Sequence, residues 1–170
     1  MIELLALRLI HILGGVFWLG TALFMTFFLV PALSTPGING GQVFAALQKR
    51  RFFTALPIVA LLTIASGLRL MWISSGGYSA AYFATPSGRA FAASGAAAIV
   101  AFTLSLLVSR PTAARMATIG ASLGSAPAEQ RDVLTKELAR LRRRGARATA
   151  AGGTLLVLGA AGMAMARYLS

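Results

Sequence analysis

Apolar positions in this chain run together instead of alternating with polar ones. Four stretches, roughly Leu4 to Val30, Phe52 to Ile73, Arg89 to Ser109 and Ala148 to Leu169, are almost wholly apolar. About 20 such residues wound as a helix cross the ~30 Å hydrocarbon core, with every backbone donor and acceptor paired inside the segment. The pattern predicts an all-α integral membrane protein, a four-helix antiparallel bundle. A different pattern lies between the third and fourth stretches, where Leu134, Leu138 and Leu141 recur at i, i+4, i+7. Ser125 is placed to cap that segment, Pro127 suits a first turn, and Glu129 and Asp132 complement the positive end of the helix dipole. An additional cytoplasmic amphipathic helix is therefore expected over about 126–144.

The first stretch opens with Met1-Ile2-Glu3 instead of a basic segment. Its apolar run also exceeds the ~7 to 15 residues of a secretory signal core, so it reads as a retained helix. With 170 residues and four spans, the loops leave no room for a second domain. The chain has no cysteine, which excludes disulfides, iron–sulfur ligation and thiolate metal sites. Its only acids are Glu3, Glu129, Asp132 and Glu137, none deep in a span, which argues against an acidic proton relay.

Charge changes the picture by giving it a direction. The net charge of +12 is concentrated in two loops. Lys49, Arg50 and Arg51 follow the first span; Arg110, Arg115, Arg131, Lys136, Arg140, Arg142, Arg143, Arg144 and Arg147 follow the third. From Ser74 to Gly88 there is no Lys or Arg. The positive-inside rule makes the two basic loops cytoplasmic and puts both termini on the outer side. The composition, rich in Ala and Arg, points to a bacterial cytoplasmic membrane. Beside a bilayer, the Arg140 to Arg147 run predicts contact with anionic lipid head groups. Nucleic acid is not expected as a partner, because no aromatics interleave with these arginines. Tyr78, Tyr82, Phe83 and Trp72 read as an outer aromatic belt.

The chain's one histidine, His11, lies inside the first span. At 100° per residue, Arg8, Gly15 and Trp18 lie within about 60° of it on the same helix face. Gly14 and Gly15 open space where a flat macrocycle or a neighbouring helix could approach. Arg8, Arg69, Arg89 and Arg167 all fall at the outer end of the four spans, where no intramembrane acid is expected to neutralise them. Two readings stand. The arginines snorkel to lipid phosphates, or some of them clamp the propionates of a haem b whose iron is held by His11. For His11 itself the alternatives are iron ligation and a hydrogen bond to Thr63 or Ser66 on the second span. Met163, one turn before Arg167, is a candidate second axial ligand or packing filler, and a five-coordinate iron is equally compatible. Small residues at Gly88, Ala92, Ala96, Gly152 and Gly159 read as helix contacts.

His11…Trp18-x-Gly20, Pro31-Ala32-Leu33, Arg50-Arg51-Phe52-Phe53, Ser66-Gly67, Arg110-Pro111 and Met165-Ala166-Arg167-Tyr168 together resemble the CopD-like small membrane proteins. These are similar in turn to HemJ-type protoporphyrinogen oxidases. The resemblance implies a four-helix bundle that binds haem b at the His11 position or, as in copper-resistance relatives, is linked to copper. Where relatives carry a helix-3 histidine or lysine, this chain has Ala98, Leu106 and Leu107, which argues against bis-histidine ligation and HemJ-type activity. One histidine and scattered methionines make no soft-ligand path for copper. The expected function is thus a haem-binding membrane redox protein. A cofactor-free accessory subunit, within a homo-oligomer or a larger membrane complex, is the alternative.

Overall fold

The computed structural model describes residues 1–33, 35 and 40–169, and among these every regular element is helical. The helices are α1 (Ile2–Ala32), α2 (Gly40–Lys49), α3 (Phe52–Ser74), α4 (Ala80–Ala84), α5 (Pro86–Leu123) and α6 (Ala128–Ala166). Of these, α1, α3, α5 and α6 are long and apolar enough to cross a membrane. This is a multi-pass membrane protein. Most large apolar side chains face outward, among them Leu9, Ile12, Val16, Phe17, Leu61, Leu62, Val100 and Leu158, an arrangement that suits lipid and not water.

The long helices pack as two close pairs, α1 with α3 and α5 with α6. Within each pair, rising residue numbers on one helix meet falling numbers on the other. Glu3 meets Arg69, His11 meets Thr63 and Gly67, and Gly14 meets Thr63 and Val59. In the second pair Gly162 and Gly159 meet Ser94, Gly152 faces Ala101 and Gly145 meets Thr112. Without a hydrophobic driving force between helices in lipid, small residues that let backbones approach are what hold such seams. The pairs meet at mid-height around Trp18, Ala60, Ala101 and Leu156, where Trp18 stands edge-on to Phe102 at 6.1 Å between ring centroids. Nearer the end that carries Arg8, Arg69 and Arg167, Met71 of α3 reaches Gly95 of α5 at 3.5 Å from where a Cβ would stand.

The first and third spans, α1 and α5, carry the same local device. Met25–Leu29 and Ser105–Ser109 are wound as π-helix, so that the Val30 and Arg110 amides reach back five residues to the Met25 and Ser105 carbonyls. In each case a proline follows, Pro31 and Pro111. Proline has no amide to donate and its ring crowds the carbonyl four residues back; widening the preceding turn lets the helix continue past it.

The structure departs from the sequence-based expectation at the basic end. The third span does not stop near Ser109 but continues to Leu123, and the segment over 126–144 is not a separate interfacial helix. It is the first half of α6, a single helix of 39 residues. No proline interrupts Ala128–Ala166, and α5 supplies a continuous partner, so the amphipathic stripe buries against protein instead of lying flat on lipid. Ile119 of α5 is 1% exposed in that contact. Arg115 pairs with Glu137 at 2.9 Å, and Gly145 lets Thr112 approach. Each helix is roughly 57 Å long at 1.5 Å per residue, nearly twice the ~30 Å hydrocarbon thickness, so α5 and α6 project as a helical hairpin. Pro127, not Ser125, occupies the N-cap of α6.

Candidate functional site

The site predicted around His11 lies on the α1–α3 seam. The imidazole is half-buried, and its Nδ1 donates to the Thr63 backbone carbonyl at 2.8 Å. A carbonyl oxygen can only accept, so this contact makes Nδ1 an N–H nitrogen; of the two neutral tautomers it selects the one whose lone pair is on Nε2. The same carbonyl accepts from Ser66 Oγ at 3.0 Å, and Ser66 also bonds the Leu62 carbonyl at 2.7 Å. The Thr63 hydroxyl turns back to the Val59 carbonyl at 2.8 Å. Thr63 and Ser66 are both buried, so His11 docks on a hydroxyl-lined strip of α3 in which every polar atom is paired.

Close approach here depends on glycines of both helices. A Cβ on Gly67 would stand 2.7 Å from the His11 Cε1 and 3.0 Å from Nδ1, closer than real Cβ contacts. Gly67, the single glycine of α3, is therefore the shelf on which the ring rests. Gly14 clears the Thr63 hydroxyl, and Gly15 faces the Thr63 methyl with 3.8 Å from its Cβ position. Of the two alternatives for the space at Gly14 and Gly15, the neighbouring helix occupies it.

The other sequence-predicted residues are dispersed around this point. Trp18 shares the helix face with His11 but lies about two turns below and is 7% exposed in the central core, so it supports the bundle and does not line a pocket with the imidazole. Arg69 is not without a counter-charge: its Nη2 stands 2.8 Å from Glu3 Oε1, and its guanidinium lies over the Trp72 ring at 4.5 Å. The pairing arises because the first turn of α1 lies beside the last turns of α3, a register that hydropathy does not report. Arg167 bonds the Tyr168 hydroxyl at 2.8 Å and covers that ring at 4.9 Å. Arg8, Arg89 and Arg167 have no carboxylate partner among the described residues. Met163 is half-buried on α6, one turn before Arg167. Among the described residues no three His, Asp or Glu side chains cluster as a metal site.

The aromatic belt assembles as expected in kind. Tyr78 stacks on Phe83, Tyr82 meets Phe83 edge-on, and the Tyr78 hydroxyl donates to the Leu68 carbonyl at 2.9 Å. Gly76 and Gly77 take positive φ to make the turn that brings Tyr78 back over α3. The expected hydrogen bond from His11 to Thr63 is present, made to the backbone carbonyl; sequence reasoning missed the pairing of Glu3 with Arg69 and the place of Gly67 beneath the imidazole. A lone glycine in an otherwise bulky span, opposite a lone histidine, was the available signal. No protein-family model, curated protein or solved structure matches this chain.

Proposed function

We propose that this protein is an antiparallel four-helix bundle of a bacterial cytoplasmic membrane that binds one haem b through His11 and serves in electron transfer. The observation that carries the reading is the Nδ1–H bond from His11 to the Thr63 carbonyl. An imidazole anchored through one nitrogen presents the other as a ligand of fixed direction, the arrangement that metal-ligating histidines use. When bound, haem supplies a one-electron iron couple. The chain's part is to hold the imidazole, and the buried Thr63–Ser66 strip does so without an unpaired polar atom. Arg8, Arg89 and Arg167 are the outer-end arginines left to receive propionates, since Arg69 is already paired with Glu3. The short-motif resemblance to CopD-like proteins, read from the sequence alone, points the same way. The accessory-subunit reading is favoured by one observation: the Glu3–Arg69 pair satisfies an outer-end arginine without any ligand. A visible spectrum of the protein, purified after expression with ample haem, is expected to show a Soret band that shifts on reduction. A featureless spectrum would favour the cofactor-free subunit.

The orientation follows from the loops. The Ser74 to Gly88 connection faces outward with both termini, and the basic hairpin lies inside. A cysteine introduced by Gly77→Cys is expected to react with a membrane-impermeant maleimide in intact spheroplasts, and Ser125→Cys to react only after lysis. The opposite pattern would overturn the orientation. Arg140, Arg143, Arg144 and Arg147 fall within about 100° of arc on α6, and all four are exposed. Just beyond the apolar span, this stripe stands where anionic head groups lie, at about 1 kcal/mol per cation.

A further inference from the structure

At the basic end of the bundle, away from the His11 site, a cleft of about 230 Å³ opens beside the π-wound turn of α1. Its walls are Gly20, Thr21, Phe24 and Leu29 of α1, Leu47 of α2 and Phe52 of α3. Apart from the Thr21 hydroxyl these side chains are apolar. Leu47 and Phe52 flank the sequence Gln48-Lys49-Arg50-Arg51, so three exposed cations are carried on the short link between two wall residues. Among the described residues these cations make no ion pair, while Glu137 pairs with Arg115, Asp132 with Lys136, and Glu3 with Arg69 at the opposite end of α1. A cleft for hydrocarbon with a triple positive charge at its rim is complementary to a molecule that is apolar along its length and anionic at its head.

We propose that this cleft binds one anionic phospholipid, with part of an acyl chain beside the π turn of α1 and the phosphate at Lys49, Arg50 and Arg51. The site does not depend on haem, and it is separate from the arginine stripe of α6. Its selectivity comes from charge, because a zwitterionic head group carries an ammonium that the three cations repel. Its hold comes from the cleft, because a soluble phosphate lacks the chain that fills it.

Native mass spectrometry of the full chain in neutral detergent tests this, with phosphatidylglycerol and phosphatidylcholine of identical acyl composition as the probes. One phosphatidylglycerol is expected to be retained about tenfold more than phosphatidylcholine, an order-of-magnitude figure for a few interfacial cations. K49Q/R50Q/R51Q should bring that ratio close to unity. Gly20→Leu should remove the retained lipid, since a Cβ at position 20 meets nothing within 4 Å and the side chain grows into the cleft. Equal retention of the two lipids by the unmodified protein would overturn the proposal, as would a Gly20→Leu protein that keeps the lipid. Displacement of the lipid by inorganic phosphate alone would replace it with a free-phosphate site. If Gly20→Leu does not fold, the surface triple variant still decides: an unchanged ratio overturns the proposal.

Discussion

His11→Ala is expected to abolish the Soret band while leaving the protein inserted and helical. His11 carries the only imidazole of the chain, and there is no cysteine to substitute as a strong axial ligand. The substitution also removes the 2.8 Å bond to the Thr63 carbonyl. The strip beneath tolerates that loss, because the same carbonyl keeps its bond from Ser66. The seam should lose about 1 kcal/mol, the net worth of one hydrogen bond. His11→Asn separates ligation from packing. The Asn amide nitrogen lies close to the Nδ1 position and can still donate to Thr63, but nothing replaces Nε2. Asn at this position is therefore expected to retain the seam and lose the Soret band as fully as Ala. An Asn variant with undiminished haem would remove His11 from the iron, whatever the unmodified protein binds.

Gly159→Leu is expected to destabilise the seam between α5 and α6. A Cβ at Gly159 already stands 3.1 Å from the Ser94 backbone carbonyl and 3.9 Å from the Ala97 methyl. Backbone cannot rotate away as a side chain can, so the longer group must push α6 off α5. Overpacking of this kind costs about 1–3 kcal/mol. In the membrane the loss is concentrated at the seam, where close contact between small residues is the main attraction. Reversible unfolding in mixed micelles, followed by circular dichroism as the denaturing detergent fraction rises, should show it as an earlier midpoint. Gly153→Ala is the reference, since a Cβ there meets nothing within 4 Å, and its midpoint should not fall. Equal midpoints for the two variants would mean that the α5–α6 seam does not depend on the Gly159 contact.

The lesson of these residues concerns distance along the chain. Gly67 and Gly159 act across seams, against His11 and Ser94, more than fifty residues away. Their spans announce themselves by composition, but which glycine is opposed by what depends on how two rods are set beside each other. The π turns before Pro31 and Pro111 are intermediate: each proline is visible in the sequence, but only the structure shows that the helix passes it by widening the preceding turn.

The sequence by itself determined the four membrane-crossing helices, because hydropathy is a local sum over about 20 residues and needs no partner. It determined the charge polarity of the ends for the same reason. Tertiary structure alone decided the rest. It extended α5 and α6 beyond the membrane as a hairpin, since an amphipathic stripe specifies that something covers it and not whether that is lipid or protein. It gave Arg69 its partner in Glu3, turned Trp18 into core, and tied the His11 Nδ1 to Thr63. Each of these joins residues far apart in the chain, and their meeting is set by the register of one helix against another.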